Sequence, residues 1–171
     1  MKALIYEKHG ADVLEYRDVP DPTPGLRDVV IKVAATTVNN LDATQRNGWF
    51  TMPGFELPHI SGMDVVGTIV EVGSEVSSVR LGERVIVDPS LTNVPENSKL
   101  SGRGDLYGEL GVIGANVDGG YAELCLVPDP HVYPIPDELS WHQAATFPTA
   151  WMTAHHALFD VAQLKEGEVV M

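Results

Sequence analysis

Short runs of β-branched and apolar residues, separated by turn-forming residues, fill most of this chain and constrain its fold most strongly. The longest run, VVIKVAATTV (29–38), is nearly continuous, as expected for a buried strand. DVVGTIVEVG (64–73), ERVIVDP (83–89) and GGYAELCLVP (119–128) follow it, with glycine, proline, serine and aspartate between them. The pattern predicts a mostly β structure over the first two thirds of the chain.

Two helical segments interrupt the strands. NLDATQRNG (40–48) begins with a capping-type asparagine and ends at a glycine suited to the position after a helix. A longer region follows Pro136, where Ser140 and Gln143 form a predicted capping box. Pro148 is expected to break or kink this region into two helices. LKEGEVVM (164–171) then resembles a loop and the start of a strand, so we expect a fragment of a longer protein.

The composition of the chain limits the classes of binding partner that we expect. The net charge of −13 disfavours binding to nucleic acid and to acidic membranes. The chain has no apolar run of membrane-spanning length, and its first residues are typical of a strand rather than a signal peptide. Cys125 is the single cysteine, which excludes an intrachain disulfide and is typical of a cytoplasmic protein.

Four motifs carry a family resemblance by their order and spacing. They are GMDVVGTIVEVGSEV (62–76), LGERVIV (81–87), DGGYAEL (118–124) and AATFPTAWMTAHHAL (144–158). Together they resemble the N-terminal half of the medium-chain dehydrogenase/reductase superfamily. That superfamily includes zinc alcohol dehydrogenases and zinc-free quinone oxidoreductases.

The resemblance implies an α+β fold in two parts. Residues 1–140 are expected to form a GroES-like catalytic domain, a partly open antiparallel barrel. Residues 141–171 are expected to form a helical connection and the first strand of an NAD(P)-binding Rossmann domain. The glycine-rich turn that would follow that strand lies beyond the sequence, so this piece alone is expected to be inactive.

The resemblance also predicts that no catalytic zinc is bound. The three zinc-ligand positions of the alcohol dehydrogenases fall on Asn39, Met63 and Thr149, and an amide, a thioether and a hydroxyl make a poor zinc site. Asp64 is the one nearby residue able to ligate. The proton-relay hydroxyl falls on Leu41, which cannot relay a proton. By contrast, VNNLD (38–42) matches the zinc-free quinone oxidoreductases.

A long polar segment, LTNVPENSKLSGRGDLYGELG (91–111), occupies the place of the structural-zinc lobe of alcohol dehydrogenases. The motif LSGR (100–103) sets the register. The four cysteine positions of that lobe then fall on Asn93, Glu96, Lys99 and Tyr107. We therefore expect a lobe without metal, held by hydrogen bonds, prolines and a Glu96–Lys99 pair.

Asn39 and Asp64 are the catalytic candidates of a zinc-free reaction. The resemblance implies hydride transfer from NADPH or NADH to a quinone or an α,β-unsaturated carbonyl, with Asn39 donating to the carbonyl oxygen. The alternative role for Asn39 is to cap the following helix. Asp42 and Asp64 could also form an acid–base pair, although bonds to backbone or arginine are the commoner role for such carboxylates.

Two threonines are the cofactor-binding candidates. Thr153 aligns with a threonine that faces the nicotinamide, and Thr149 lies one helical turn before it. The alternative for Thr153 is a hydrogen bond to its own preceding turn.

Four residues are predicted to line the substrate pocket: Trp49, Phe50, Met63 and Trp151. Of the adjacent aromatics Trp49 and Phe50, one is expected in the core and the other in the pocket.

The resemblance further implies a small-molecule substrate, a cytoplasmic location and a homo-oligomer for the full-length protein. Two alternatives stay open. One is an alcohol dehydrogenase relative with degenerate zinc ligands, and the other is a catalytically silent binding or structural module.

Overall fold

Antiparallel sheets form the frame of the chain in the computed structural model, which describes residues 1–101 and 111–170. The strands are β1 Lys2–Ile5, β2 Glu15–Asp18, β3 Asp28–Ala35, β4 Val66–Val72, β5 Arg84–Val87, β6 Ser90–Leu91, β7 Gly111–Val112, β8 Leu124–Pro128 and β9 Val132–Pro134. The main sheet has the order β8-β3-β4-β5-β9, and two small sheets pair β1 with β2 and β6 with β7. The main sheet does not close on itself, because β8 and β9 are its edges within the described residues. The predicted open, mostly β architecture is confirmed.

Alternating side chains divide the main sheet between two packing faces. Val29 and Ile31 of β3 are fully buried in the main core. The other buried members of that core are Val65, Ile69, Val79, Val85, Val87, Leu91, Ile113, Val117, Cys125, Val127 and Val132. On the opposite face, Val66 packs against Ala144 and Ala145. Parts of both faces are therefore covered, and the first four residues of β3 are all buried, as its apolar run predicts.

Cys125 is buried. Burial raises the pKa of its thiol to about 12, so the thiol stays protonated and unreactive at neutral pH.

The helices begin where the sequence places their caps. Helix α1 spans Asn40–Arg46 after the N-cap Asn39, and helix α2 spans Trp141–Ala145 after Ser140. The predicted capping box is present, because Ser140 Oγ accepts the Gln143 N–H at 3.3 Å and Gln143 Oε1 accepts the Ser140 N–H at 3.1 Å. A single 3₁₀ turn, Asp129–His131, joins β8 to β9.

A C-terminal helical stretch begins at Phe147 and includes Pro148, so α2 is interrupted at Thr146, two residues before the predicted position. It consists of a π-type segment Phe147–Trp151, helix α3 Met152–His155 and a second π-type segment His156–Val161. Most of its side chains are exposed. No helix among residues 1–101 and 111–170 is both long and apolar enough to cross a membrane.

The strand expected near the end of the chain is not formed. Residues 168–170 have no regular structure, and Val169 and Val170 are exposed. The physical reason is that an apolar run becomes a strand only where a neighbouring strand can accept its hydrogen bonds.

The predicted lobe is held by hydrogen bonds, as expected, but in the part of the chain that the structure describes it is not held by the expected ion pair. Strands β6 and β7 pair at its base. The Glu96–Lys99 pair is not among the ion pairs of the described residues, and backbone and amide bonds to distant carboxylates hold the lobe instead. Asp28 Oδ2 accepts the Lys99 N–H at 2.8 Å, and a Glu75 carboxylate oxygen accepts from Asn97 Nδ2 at 2.9 Å. Tyr107 lies outside the described residues.

Gly67 of β4 pairs with Val33 of β3 in the main sheet. A Cβ added there would lie 2.1 Å from the backbone oxygen of Lys32. That oxygen cannot move without disturbing the β3–β4 pairing, so we expect Gly67→Ala to lower the free energy of unfolding by about 3 kcal/mol. Denaturant titration checks this.

The control for Gly67 is Gly82→Ala, where an added Cβ meets nothing within 4 Å and strain comes only from a φ of +83°. We expect it to cost about 1 kcal/mol. Equal losses in the two variants would contradict the steric account of Gly67.

His131 gives the chain a pH-dependent stability. Burial disfavours the imidazolium and lowers the pKa of His131, against the opposing effect of Asp88 and Asp129. The unfolded chain therefore takes up a proton below about pH 6.5, where the folded chain resists it. The contribution of His131 to the free energy of unfolding is therefore complete above about pH 6.5. It is lost as the pH falls toward the lower pKa of the folded state.

We expect the free energy of unfolding to fall less steeply below about pH 6.5 in His131→Gln than in the unmodified chain. Denaturant titrations across pH measure this slope. The exposed His142, changed to glutamine, is the control that should leave the slope unchanged. Parallel curves for His131→Gln and the unmodified chain would contradict the assignment.

Candidate active site

Strand pairing brings three separate loops together at one end of the main sheet. The end of β3 pairs with the start of β4 through Ala35 and Val66, so the residues after β3 lie beside those before β4. On its other side β3 pairs with β8, with Lys32 opposite Leu124. The segments 36–39, 61–65 and 119–123 therefore converge, and helix α1 begins at the same point.

Asp64 is the centre of this cluster and is only 2% exposed. Its Oδ2 accepts hydrogen bonds from Asn39 Nδ2 at 2.9 Å and from the Thr37 hydroxyl. Its Oδ1 accepts the Thr149 N–H at 2.8 Å. Both carboxylate oxygens are thus engaged, and they join the end of β3 to the C-terminal helical stretch.

Asp42 is a second buried carboxylate, held by different donors. Its Oδ2 accepts the Asn39 N–H at 2.7 Å and the Tyr121 hydroxyl at 2.9 Å, and its Oδ1 accepts the Gly62 N–H at 3.2 Å. Burial raises the pKa of Asp42, and the charge of Asp64 adds to this, while the three hydrogen bonds act in the opposite direction.

Asn39 connects the two carboxylates. Its backbone N–H donates to Asp42 and its side-chain amide donates to Asp64. Asn39 is the N-cap of α1 by position, but its amide nitrogen is directed to the site. As expected of the commoner alternative, each carboxylate bonds to a backbone N–H. Asp42 and Asp64 are not hydrogen-bonded to each other in any described contact.

Position 62 requires a glycine because the Tyr121 ring packs directly against its backbone. Its φ is +105°, and an added Cβ would lie 2.6 Å from Cδ1 of the Tyr121 ring. Glycine at this position lets the loop that carries Asp64 pack closely against Tyr121.

The two cofactor candidates lie on the C-terminal helical stretch. Thr149 donates its backbone N–H to Asp64, while its Oγ1 is buried and has no hydrogen-bond partner among the described residues. Thr153 is exposed. The structure therefore brings Thr149, but not the Thr153 side chain, into the network of Asp64.

The four pocket candidates differ in burial. Met63 is buried, next to Asp64, whereas Trp49 and Phe50 are 79% and 53% exposed. The expectation that one of these two aromatics lies in the core is wrong. They follow the end of α1 in an irregular segment that no other element of the described residues covers. Trp151 is also exposed and lines a cleft of about 530 Å³ with Phe147 and Met152.

Sequence reasoning missed Thr37 and Tyr121. Thr37 lies in a β-branched run that is typical of a strand, and Tyr121 follows two glycines in a motif used only for family resemblance. Their hydroxyls bond across 27 and 79 residues of sequence, so no local pattern predicts these contacts.

The residues at the zinc-ligand positions do not fit a catalytic zinc. Asn39 directs its amide nitrogen, a donor, to Asp64, and Met63 and Thr149 offer a thioether and a hydroxyl. Thiolate, imidazole and carboxylate are the ligands that zinc prefers. Residues 1–101 and 111–170 contain no cluster of three or more His, Cys, Asp or Glu side chains able to hold a metal ion.

Known proteins resemble this chain over nearly its whole length. It is 33% identical to the quinone oxidoreductase of Mus musculus, over all of this chain and 44% of that protein. It is also 33% identical to an L-threonine 3-dehydrogenase of Anaeromyxobacter sp. (strain K), over 94% of this chain and 47% of that protein. The chain thus spans less than half the length of these relatives.

A solved NAD-dependent alcohol dehydrogenase superposes with a TM-score of 0.85 at 29% identity, covering 98% of this chain and 49% of that one. The sequence model of the alcohol dehydrogenase GroES-like domain matches residues 25–137, more than half of the chain. The chain therefore belongs to the alcohol dehydrogenase GroES-like domain family, in the medium-chain dehydrogenase/reductase superfamily.

Proposed function

We propose that this chain is the substrate-binding half of a zinc-independent, NAD(P)H-dependent oxidoreductase that reduces quinones or α,β-unsaturated carbonyls. The observation that carries the proposal is the hydrogen-bonded pair of Asn39 and Asp64, at the place where zinc enzymes hold their metal. The division into a catalytic domain, residues 1–140, and a connection to a nucleotide-binding domain, residues 141–171, is part of the same proposal.

Hydride transfer to a conjugated carbonyl requires a hydrogen-bond donor to the carbonyl oxygen. NAD(P)H supplies the hydride, and negative charge then develops on the oxygen of the conjugated acceptor before a proton arrives from solvent. A neutral amide N–H directed at that oxygen stabilises the charge without a metal. Asn39 has two N–H groups on Nδ2. One donates to Asp64 and fixes the orientation, which leaves the other for the substrate.

Asp64 acts in this scheme by holding neighbouring groups in place. Its carboxylate accepts from three donors, one of them the Thr149 N–H of the helical stretch. Asp64 therefore sets the position of Asn39 relative to the threonines proposed to face the nicotinamide, Thr149 and Thr153. Met63, Trp49, Phe50 and Trp151 are the proposed pocket residues.

The full-length protein is proposed to act on a small molecule, in the cytoplasm, as a homo-oligomer. The −13 charge supports the further proposal that neither nucleic acid nor an acidic membrane is a partner.

The test is oxidation of NADPH and of NADH by the full-length protein against a panel of quinones, enones and simple aldehydes. Turnover with quinones or enones supports the proposal. Turnover with simple aldehydes alone favours the second candidate function, that of an alcohol dehydrogenase. Two observations support this candidate: the similarity to a solved NAD-dependent alcohol dehydrogenase, and the lobe with strands β6 and β7 paired at its base. Failure to bind either nucleotide would identify a catalytically silent module.

A further inference from the structure

The Tyr121 hydroxyl contacts two of the segments that hold Asn39. It donates to Asp42 Oδ2 at 2.9 Å and lies 3.3 Å from the backbone oxygen of Thr37. Asp42 accepts the Asn39 backbone N–H, and the Thr37 hydroxyl donates to the same Asp64 oxygen as the Asn39 amide. The Tyr121 hydroxyl therefore bonds directly to Asp42 and is linked through Thr37 to Asp64, and these are the two carboxylates that accept from Asn39.

The Tyr121 ring is held in place independently of this hydroxyl. Its backbone N–H donates to the Ser61 oxygen at 2.9 Å, and its backbone oxygen accepts the Leu4 N–H at 2.7 Å. The ring packs on Gly62, where an added Cβ would clash with it. Removing the hydroxyl should therefore leave the ring seated while it deletes one bond to the carboxylate.

The hydroxyl is chemically suited to a constant donor role. Burial, followed by the nearby Asp42 carboxylate, raises the pKa of Tyr121, so the hydroxyl keeps its proton. The donated bond favours the ionised form of Asp42 against the effect of burial. The other charged groups facing this pair are Asp64, from the loop before β4, and Arg46, one turn further along α1.

We propose that Tyr121 is a positioning residue, which holds Asn39 in its donating orientation through Asp42 and Thr37. The catalytic part of this proposal rests on the proposed function, whereas the structural part does not. Nothing in the proposed reaction requires Tyr121 to touch the substrate.

The structural part is tested by amide hydrogen exchange in Tyr121→Phe, with Tyr16→Phe as control. Tyr16 is 67% exposed on β2, in a small sheet separate from the main one. We expect exchange at Asn39 and Gly62 to become about tenfold faster in Tyr121→Phe and to stay unchanged in the control, because both amides donate to Asp42. Unchanged exchange in Tyr121→Phe would overturn the proposal, whether or not the protein is active.

The catalytic part is tested by steady-state kinetics on the full-length protein. We expect kcat to fall by about tenfold to a hundredfold in Tyr121→Phe, with KM for the nicotinamide nucleotide unchanged. Faster exchange with an unchanged kcat would overturn the positioning role. An inactive unmodified protein would instead overturn the proposed function and leave the exchange result to decide the structural part.

A double-mutant cycle tests whether Tyr121 acts through Asp42. Asp42→Asn removes the charge that the hydroxyl supports, so adding Tyr121→Phe to it should change exchange at Gly62 by less than about twofold. A multiplicative effect of the two substitutions would show that they act independently and would contradict the proposed route. Exchange is the readout here, so the cycle does not depend on activity.

Discussion

Replacing Asp64 with asparagine is expected to reduce kcat of the full-length protein by tenfold or more and its free energy of unfolding by about 3 kcal/mol. The variant keeps the shape of the side chain but puts an NH₂ group where one oxygen stood. Thr37, Asn39 and Thr149 all donate to this carboxylate, so at least one buried donor would then face another donor. Denaturant titration and steady-state kinetics measure the two effects.

The control for Asp64 is Asp137→Asn. The Asp137 side chain is 93% exposed and pairs with Arg84 at the surface. Such pairs contribute about 0–1 kcal/mol, so neither stability nor kcat should change much. A similarly small effect in Asp64→Asn would show that the network around Asp64 does not organise the site.

Replacing Asn39 with alanine is expected to give the largest kinetic loss, about a hundredfold in kcat, because it removes the proposed donor to the developing oxyanion. The matched control is Asn40→Ala, which changes the same residue type at the next position, where the side chain is exposed. Single-turnover kinetics with a quinone or enone separates hydride transfer from product release.

A kcat for Asn39→Ala close to that of the unmodified protein would remove Asn39 from the chemistry. In that case its bond to Asp64 would have only a structural role. The N-cap position of Asn39 predicts a separate stability loss of about 1 kcal/mol, so the kinetics must be measured on folded protein.

Local sequence patterns predicted the elements that depend on local physics. The β-branched run of β3, the Ser140–Gln143 capping box and the end of α2 shortly before Pro148 all follow from residues close in sequence. The short strand β2, Glu15–Asp18, has no apolar alternation and owes its conformation to pairing with β1. It could not be predicted from its own residues.

The sequence indicated individual residues of the site, but not the hydrogen bonds that connect them. Family resemblance indicated Asn39, Asp64 and Thr149 separately, but their hydrogen bonds join residues 25 and 85 positions apart. Only the β3–β4 register and the direction of the C-terminal helical stretch bring them together. Trp49 and Phe50 show the opposite case, because both were expected from their aromatic character to be pocket or core residues, yet both are exposed.

The most direct test of the proposed chemistry is turnover by the full-length protein after removal of metal. Zinc is measured by elemental analysis, and NAD(P)H oxidation by a quinone or enone is followed before and after chelation. We expect no stoichiometric zinc and an unchanged kcat, because Asn39 and Asp64 supply hydrogen bonds in place of a metal. Loss of activity on chelation, with recovery on adding zinc, would contradict the account.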